Sequence, residues 1–522
     1  MNLNLNHNPY NQRHSSFGAH GVVATSQTLA AQAGLEILQA GGNAVDAAIA
    51  TAACLTVVEP TSNGLGGDAF ALVWDGNTLH GLNGSGRAPS GLSLESFPNR
   101  QMPQRGWLTV TVPGVIAAWR DLHQKFGRLE FGCLLQRAID YAENGFVVSP
   151  TVARFWASAA KHYVNFPDWQ NTFLANGRTP YAGEKFYMPH HAKTLRQIGS
   201  SYGNDFYTGA LGAALEQYAK NTGGVITQAD LAAHQSTWVK PIGTNYRGYD
   251  IWEIPPNGQG VAALTALNIL EGFEVQDDLE TLHRKIESMK LAFVDAKQYV
   301  ADPENAVVPT KGMLDKKYAA QRRLEIGTQA LLPQAGTPPA GGTVYLCCAD
   351  SDGMMVSFIQ SNYAGFGSGL VVPNTGIALQ NRGANFSLEP NHANCVAPNK
   401  RPYHTIIPAF MSKDGNALGA FGVMGGFMQP QGHLQVVSHT IDHGLHPQAA
   451  LDAPRWQWIG EKRIELEPHT PRHLAEGLRS KGHEVTLQLE NGSFGRGQII
   501  WRHNDAYVAG SDSRCDGAAL VY

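Results

Sequence analysis

The sequence predicts an α/β protein in which β-sheets stack face to face and helices cover their outer surfaces. One indication is a pair of helix signals, over 26–40 and 44–55, that precede two strands joined by the turn at 75–77. Another is a set of apolar strands after residue 343, the first two joined by a hairpin turn at 350–353. Strand pairs that alternate with helices are typical of layered sheets.

Local signals define the individual elements. Ser26 is predicted to cap the first helix, and Gly41-Gly42 is predicted to end it. The second helix is small or apolar on almost every side, so we expect it to be buried. Other helices are predicted mainly within 114–270 and over 279–300, 430–443 and 471–481. Strands are predicted at 21–25, 69–74, 78–82, 344–348, 354–359, 376–379, 405–410, 419–423, 485–489, 498–501 and 506–509.

Composition restricts the class of protein. The chain has 522 residues, of which 43% are hydrophobic and 16% are charged, so it can bury a large core. Its net charge of -4 and the absence of any run of four Lys or Arg argue against nucleic acid or an anionic membrane as a partner. The N-terminus lacks the regions of a secretory signal, and no segment approaches the ~18 apolar residues of a membrane helix. We therefore expect a cytoplasmic protein whose six cysteines are reduced thiols, because none has zinc-site spacing.

The junction between a loop and a strand at Thr343 indicates a catalytic residue. A segment rich in Pro, Gly and Ala, 327–340, leads to Gly341-Gly342-Thr343, and an apolar strand follows directly. Such a composition is typical of an exposed loop. Cleavage of the Gly342–Thr343 bond would leave a threonine that carries both a hydroxyl nucleophile and an amine base. The same pattern is also that of a plain loop-to-strand transition.

Two glycine-rich segments are further candidates. Residues 360–369 contain alternating glycines after a predicted strand, but no Gly-Lys-Ser/Thr follows, which excludes a phosphate-binding loop. Gly425 and Gly426 lie between a strand and a helix, where two backbone amides could stabilise an oxyanion, although the pair is also an ordinary tight turn. No Gly-x-Ser-x-Gly motif is present, so a serine-triad hydrolase is disfavoured.

Several histidines and arginines are weaker candidates for metal binding or carboxylate binding. His439 and His443 are four residues apart on a predicted helix and could share a metal, but no glutamate follows in the metalloprotease pattern. We interpret them as solvated residues at a helix end, and His190-His191 as a surface pair. Arginines at strand ends or glycine-flanked turns can bind a carboxylate with two hydrogen bonds or form structural ion pairs. These arginines are Arg87, Arg382 and Arg401.

A series of short motifs occurs in an order found in one family. The motifs lie at 41–47, 58–60, 64–67, 87–89, 343, 352–353, 366–369, 399–402, 424–426 and 452–455. In this order they resemble the γ-glutamyltranspeptidase superfamily of self-processing, N-terminal-nucleophile hydrolases, from about residue 21 to residue 522. The resemblance implies a four-layer αββα sandwich and self-cleavage between Gly342 and Thr343. A large subunit, 1–342, and a small subunit, 343–522, would then stay together.

The resemblance also implies roles for individual residues. Thr343 would be the nucleophile, and Ser361 would be its hydroxyl partner. Gly425 and Gly426 would donate hydrogen bonds to the oxyanion, and Arg87 would bind the substrate carboxylate. This chemistry needs no metal or organic cofactor. The implied partners are a small-molecule amide and the two subunits themselves, and a dimer of heterodimers is a further expectation.

The expected substrate-binding residues depart from those of the glutathione-processing members. Tyr363 stands where those members have Asn, and His404 and Thr405 replace two serines. Arg382 and Asn385 align with the glutamine and acid that bind the amino group of a glutamyl substrate. Asn385 cannot neutralise an ammonium and Arg382 would repel it, and a lost charge-assisted hydrogen bond costs roughly 1.5–3 kcal/mol. The resemblance therefore favours the oxamate amidohydrolase branch and an acyl group with a carboxylate and no amine.

Three functions follow as alternatives. The first is hydrolysis of a small carboxylate-bearing amide, with oxamate to oxalate and ammonia as the leading candidate, a reaction of purine and allantoin nitrogen recovery. The second is a glutaryl-type acylase, or a glutathione hydrolase or γ-glutamyltransferase. The third is a non-catalytic binding protein that retains the fold, which intact-mass measurement would distinguish because it would stay uncut.

Overall fold

Two seven-stranded antiparallel sheets form the centre of the protein, which is described from a computed structural model. The structure describes residues 9–10, 13–333, 343–489 and 491–522. Thr343 therefore lies within the described residues, whereas its predicted cleavage partner Gly342 lies outside them.

The strands and helices are numbered in chain order. The strands are β1 Ser16–Gly18, β2 Val22–Thr25, β3 Asp68–Trp74, β4 Leu79–Gly84, β5 Phe146–Val147, β6 Lys185–Phe186, β7 Thr237–Val239, β8 Ile242–Tyr246, β9 Tyr249–Glu253, β10 Val344–Ala349, β11 Met355–Ser361, β12 Val371–Val372, β13 Ile377–Ala378, β14 Ala409–Lys413, β15 Asn416–Met424, β16 Trp456–Gly460, β17 Arg463–Leu466, β18 Glu484–Leu487, β19 Arg496–His503, β20 Ala506–Ser511 and β21 Ala518–Val521. The helices are α1 Thr28–Gln39, α2 Ala44–Val58, α3 Val115–Phe126, α4 Phe131–Leu134, α5 Gln136–Asn144, α6 Pro150–Ala160, α7 Pro167–Phe173, α8 Pro189–Ser200, α9 Asn204–Thr208, α10 Ala210–Thr222, α11 Gln228–Ala232, α12 Gly260–Leu270, α13 Leu279–Tyr299, α14 Thr310–Met313, α15 Lys316–Arg323, α16 Met428–Ile441, α17 Pro447–Asp452 and α18 Arg472–Ser480. No helix in the described ranges is both long and apolar enough to cross a membrane.

The two sheets draw strands from both sides of Thr343. The first sheet has the order β1-β20-β19-β15-β14-β9-β8, and the second has the order β21-β2-β10-β11-β3-β4-β7. In the second sheet, β10 pairs with β2 and β11 pairs with β3, so two strands that follow Thr343 lie between strands that precede it. The first residues after Thr343 thus form a central strand.

Four layers result from the way these elements pack. The sheets contact each other mainly through β10 and β11 of one sheet and β15 and β19 of the other. Helices α1, α2 and α3 cover the second sheet, and α12, α16 and α17 cover the first. This arrangement confirms the predicted αββα fold class. The prediction that α2 is buried is also confirmed, since every one of its residues is buried.

The predicted cap of the first helix is wrong. Gln27 Oε1 accepts hydrogen bonds from the amides of Leu29 and Ala30 at 2.6 and 3.2 Å. Ser26 Oγ instead donates to the buried Glu59 carboxylate at 2.5 Å. The longer glutamine side chain accepts hydrogen bonds from the free amides of the first helical turn, whereas the serine hydroxyl donates its hydrogen bond to the Glu59 carboxylate.

Two further segments differ from the prediction. Residues 237–253 form β7, β8 and β9 rather than helix, because β7 pairs with β4 and β9 pairs with β14 at the edges of the two sheets. Pairing with an existing strand outweighs local propensity. The strand predicted at 405–410 begins only at Ala409, and the residues before it form a loop in which Thr405 accepts a hydrogen bond from Arg382.

Candidate active site

Thr343 and Ser361 are neighbours on adjacent strands. Thr343 precedes β10 and Ser361 ends β11, and the register pairs Val344 with Gln360. Thr343 Oγ1 donates a hydrogen bond to Ser361 Oγ at 3.4 Å, and both side chains are buried. Ser361 Oγ also accepts a hydrogen bond from the amide of Tyr363 at 2.7 Å. The structure therefore brings the predicted nucleophile and its predicted hydroxyl partner together.

Gln429 of α16 contacts the same hydroxyl. Its Nε2 donates a hydrogen bond to Thr343 Oγ1 at 3.4 Å, and its Oε1 accepts one from the amide of Ile407 at 2.9 Å. Because a backbone amide only donates, this second bond fixes which end of the glutamine side chain is the oxygen. The NH₂ group consequently faces Thr343, whose hydroxyl accepts one hydrogen bond and donates another.

Arg382 is a buried guanidinium close to the two hydroxyls. Its Nη1 donates a hydrogen bond to Thr405 Oγ1 at 2.7 Å, and its planar group lies over the ring of Tyr363 at 4.8 Å. Its Nη2 is 3.5 Å from Asp68 Oδ1. Within the described part of the chain, neither Nε nor Nη2 has a hydrogen-bond partner. Arg382 thus retains donors that a substrate carboxylate can accept.

Tyr363 connects the hydroxyl pair to Arg382. Its backbone has a φ of 78°, in the left-handed region that large residues rarely adopt. This turn directs the amide of Tyr363 to Ser361 and its ring to Arg382. Burial raises the pKa of Tyr363 to about 12, so the hydroxyl stays protonated at neutral pH and is able to donate a hydrogen bond.

Asp68 and His404 form a buried pair beside Ser361. Asp68 begins β3 directly opposite Ser361 in the ladder. His404 Nε2 donates to Asp68 Oδ2 at 2.7 Å, and His404 Nδ1 accepts from the amide of Ile406 at 3.3 Å, which fixes a neutral ring protonated on Nε2. Burial and Arg382 lower the pKa of His404 to about 4. Burial raises the pKa of Asp68, but His404 and Arg382 outweigh it and lower that pKa, so Asp68 is an anion that balances Arg382.

We expect His404 to make the folded protein sensitive to acid. Its pKa is lowered to about 4 in the fold, whereas an unfolded histidine titrates near ~6.5. The unfolded chain therefore binds a proton that the folded chain does not, so this stability is present above about pH 6.5 and is lost as the pH falls towards 4. His404→Gln keeps a donor for Asp68 but removes this titrating group. In this variant the slope of the free energy of unfolding against pH should decrease by up to about 1.4 kcal/mol per pH unit.

Chemical denaturation between pH 4 and pH 7 measures this slope. His190→Gln is the matched control, because His190 is exposed at the start of α8. An unchanged slope in His404→Gln, or an equal decrease in both variants, would contradict the assignment of a proton-linked role to His404.

Gly425 and Gly426 form the turn between β15 and α16. Their φ angles are 134° and 60°, and a Cβ on Gly425 would lie 3.0 Å from Gly495 Cα, so the turn requires glycine there. Gln259 Nε2 donates hydrogen bonds to the carbonyls of Gly426 at 2.9 Å and Thr405 at 2.6 Å. This side chain links the predicted oxyanion turn to the loop that contacts Arg382.

A cavity of 410 Å³ borders the site at Gly425. Ser62 and Gly365 also line it, and the amide of Asn362 donates a hydrogen bond to the carbonyl of Ser62 at 3.3 Å. The wall of the cavity therefore continues into the segment that follows Ser361. The lining combines apolar side chains, such as Phe155, Phe427 and Trp458, with polar and charged ones, such as His162 and Arg496. The volume suits a small-molecule ligand.

Two predicted substrate-binding residues lie outside the hydrogen-bond network of Thr343. Arg87 is paired with Glu304 at 2.8 Å and with Asp302 at 3.4 Å. Asn385 shares a 3₁₀ turn with Arg382, and its Nδ2 is buried without a hydrogen-bond partner among the residues that the structure describes. The roles of Arg87 and Asn385 in substrate binding stay predictions.

The surface interpretation of the histidines is wrong at two places. His191 is buried, and its Nε2 is hydrogen-bonded to Thr56 Oγ1 at 2.9 Å. His439 and His443 line a cavity rather than a solvated helix end, and burial lowers the pKa of both. A helical spacing of four residues does not show which face of the helix packs inward.

One group of described residues has the geometry of metal ligands. Donor atoms of His283, Glu287 and His483 lie within 4.8 Å of one another. Lys290 Nζ donates a hydrogen bond to Glu287 Oε1 at 2.8 Å and lies 3.5 Å from His483 Nδ1. An ammonium therefore already balances the carboxylate, and the group fits a buried hydrogen-bond network better than an ion site.

Sequence reasoning missed three residues of the site. Asp68, Gln259 and Gln429 belong to no motif that was singled out, and their contacts with Arg382, Gly426 and Thr343 arise from different elements. One signal was available for Asp68, since it is an acid at the start of the otherwise apolar strand β3. The sequence around Gln259 and Gln429 contained no such signal.

The stacked sheets and the buried hydroxyl at the head of a central strand are those of an N-terminal-nucleophile hydrolase. A family model described as Gamma-glutamyltranspeptidase matches residues 30–522. The chain belongs to this family and is an amidohydrolase.

Similar proteins cover nearly the whole chain. One is the Glutathione hydrolase-like YwrD proenzyme of Bacillus subtilis (strain 168), at 36% identity over 97% of this chain and 99% of the relative. Another is the Oxamate amidohydrolase proenzyme of Klebsiella pneumoniae, at 34% identity over 97% and 99%. Among solved structures, the cephalosporin acylase of Bacillus halodurans has 52% identity and a TM-score of 0.95 over 99% of this chain and 98% of the other.

Proposed function

We propose that the chain cleaves itself between Gly342 and Thr343 and then hydrolyses a small amide whose acyl group carries a carboxylate. One observation carries this proposal. The buried hydroxyl pair of Thr343 and Ser361 is joined through Tyr363 to a buried guanidinium, Arg382, that has free donors. The names of the similar proteins support it, since two of them are proenzymes and one acts on oxamate.

Self-cleavage comes first. Thr343 Oγ1 attacks the carbonyl carbon of Gly342, the C–N bond between the two residues breaks, and the proton that the hydroxyl loses passes to the threonine nitrogen, which becomes an amine. Water then hydrolyses the ester that has formed. This step releases the carboxylate of Gly342 and restores the hydroxyl of Thr343, now beside a free α-amine.

Turnover uses the same hydroxyl. The α-amine of Thr343 has an ordinary pKa near ~7.7–8.0, so it accepts the hydroxyl proton close to neutral pH. Oγ1 bonds to the substrate carbonyl carbon, and the amides of Gly425 and Gly426 would hold the oxyanion, each such donor lowering the barrier by roughly 2.7–4 kcal/mol. The amine passes its proton to the leaving nitrogen as the C–N bond breaks. Water then opens the acyl-threonine ester.

Arg382 selects the acyl group. Its Nε has no hydrogen-bond partner among the described residues and its Nη2 lies 3.5 Å from Asp68 Oδ1, so the two can donate parallel hydrogen bonds to a carboxylate, with the hydroxyls of Thr405 and Tyr363 nearby. A substrate ammonium would have to compete with Arg382 for Asp68, which also binds His404. We therefore infer that monoamides of dicarboxylic acids are the substrates. Oxamate is the smallest of them, and glutaryl amides are longer members of the same class.

A panel of amides tests this function. We expect ammonia release from oxamate, succinamate and glutaramate, with oxamate fastest. A γ-glutamyl anilide, assayed by aniline release, should have a kcat/KM one to two decades lower, because the loss of a charge-assisted hydrogen bond costs roughly 1.5–3 kcal/mol. Acetamide is the control that lacks a carboxylate.

The outcomes of the panel are distinct. Fastest turnover of the γ-glutamyl compound would refute the substrate class, and equal turnover of acetamide and oxamate would refute a role for a carboxylate. An uncut protein that hydrolyses nothing in the panel would support the non-catalytic alternative.

A further inference from the structure

A second cavity, of 400 Å³, lies between α13 on one side and α16 and α18 on the other. Part of its wall is apolar, with Leu282, Leu445, Trp456, Leu466, Pro471 and Leu474, and polar and charged side chains line the rest. It shares no lining residue with the cavity at Gly425. It is therefore a compartment separate from the candidate active site, and it is lined by residues from both sides of Thr343.

The polar end of this cavity contains a buried lysine, Lys285. Only 6% of Lys285 is exposed, and its Nζ lies 3.3 Å from His443 Nε2. In the described part of the chain it forms no ion pair with a carboxylate. Lys290, on the same helix and fully buried, is paired with Glu287 at 2.8 Å. Lys285 is therefore a buried ammonium without a carboxylate at ion-pair distance among the described residues, which such a group ordinarily has.

Asp278 and Asp442 have other partners, and Asp277, which also lines the cavity, forms no ion pair with Lys285 among the described residues. Asp278 accepts the amide of Thr281 at 2.7 Å as the cap of α13, and Asp442 is paired with Arg247 Nε at 2.8 Å. These acids only moderate the effect of burial, which lowers the pKa of Lys285 to about 8. The ammonium form still predominates at neutral pH.

Two imidazoles lie beside this ammonium. His443 accepts a hydrogen bond from Lys285, and its ring centroid is 5.8 Å from that of His439. His439 also lines the cavity, and its buried Nδ1 has no hydrogen-bond partner among the described residues. Lys285 and two imidazoles thus lie beside the apolar part of the cavity, and the other cation of the lining, Arg455, is already paired with Asp512. Apolar walls with a few polar groups are the usual form of a small-molecule site.

We propose that this cavity binds a small organic carboxylate with an apolar body. The carboxylate accepts hydrogen bonds from Lys285, and the body packs among Leu282, Trp456 and Leu474. The ligand supplies the missing counter-charge, so the buried ammonium no longer costs the fold the free energy of an unpaired ion. Because segments from both sides of Thr343 line the cavity, a bound ligand stabilises their association.

Calorimetry and thermal melting of the purified full-length protein test this site with 3-phenylpropionate as the probe. The neutral analogue 3-phenylpropanamide is the control for the charge. We expect the carboxylate to bind, to raise the melting temperature with concentration, and to bind at least tenfold more tightly than the amide. Lys285→Met should weaken carboxylate binding at least tenfold.

Two further variants keep the test decisive. Leu474→Trp leaves Lys285 in place and fills the cavity, so it should weaken binding of both probes even if Lys285→Met fails to fold. Arg382→Met removes a buried cation of the candidate active site and should leave the affinity unchanged. Absence of binding, equal affinity for acid and amide, an unchanged affinity in Leu474→Trp, or loss of binding in Arg382→Met would overturn the proposal. None of these outcomes depends on self-cleavage.

Discussion

Thr343→Ala is expected to leave a single uncut chain of 56.3 kDa without amidohydrolase activity. The substitution removes Oγ1, which is the proposed nucleophile of both the cleavage and the turnover reactions. It also removes the acceptor of Gln429 and the donor to Ser361, but it leaves β10 and its pairing unchanged. Intact-mass spectrometry measures the first effect, and ammonia release from oxamate measures the second.

Thr343→Ser is the matched control for this experiment. It retains the hydroxyl and loses one methyl group, so it should still yield two polypeptides and retain measurable turnover. A Thr343→Ala protein that separates into two pieces at this position would exclude Thr343 as the cleaving residue. A Thr343→Ala protein that stays uncut but hydrolyses oxamate would exclude it as the nucleophile of turnover.

Arg382→Met is expected to lower kcat/KM for oxamate by about 10²-fold, because two charge-assisted hydrogen bonds to the carboxylate contribute roughly 3 kcal/mol together. Self-cleavage should continue, since the scissile carbonyl carries no carboxylate for Arg382 to bind. Turnover of acetamide, which also has none, should change little. Steady-state kinetics with both amides, after intact-mass confirmation of cleavage, separates recognition from chemistry.

Arg87→Met provides the control for Arg382→Met, because the family resemblance assigned the carboxylate to Arg87. Its guanidinium is held by Glu304 and Asp302, so its loss should affect stability more than substrate recognition. If Arg87→Met lowers kcat/KM for oxamate selectively and Arg382→Met does not, the carboxylate binds at Arg87 and the substrate assignment must be revised.

The fold was predictable from physical patterns in the sequence, whereas the central pair of the site was predictable in part only from family resemblance. The apolar strand after Thr343 and the buried helix α2 have strong periodic patterns, and both are confirmed. The hydroxyl of Ser361 was located by family resemblance, and the structure places it 3.4 Å from Thr343. The roles of these residues in catalysis still await the experiments above.

Other parts of the site could not be predicted because they depend on contacts between distant segments. Asp68 acquires its low pKa from His404 and Arg382, which lie more than three hundred residues away in the sequence. Gln259 joins two loops by hydrogen bonds that no local pattern encodes. Strands β7 to β9 were missed for the same reason, since they are strands only because partner strands are present.

The interleaving of strands around Thr343 changes the kind of folding reaction that the protein can undergo. The uncut chain brings β2 and β10 together within one molecule, whereas a chain cut before Thr343 would have to reunite two separate polypeptides. Cleavage thus turns a unimolecular refolding reaction into a bimolecular one that depends on concentration. The lifetime of the cut protein would then be set by its rate of unfolding, because its pieces would rarely meet again in dilute solution.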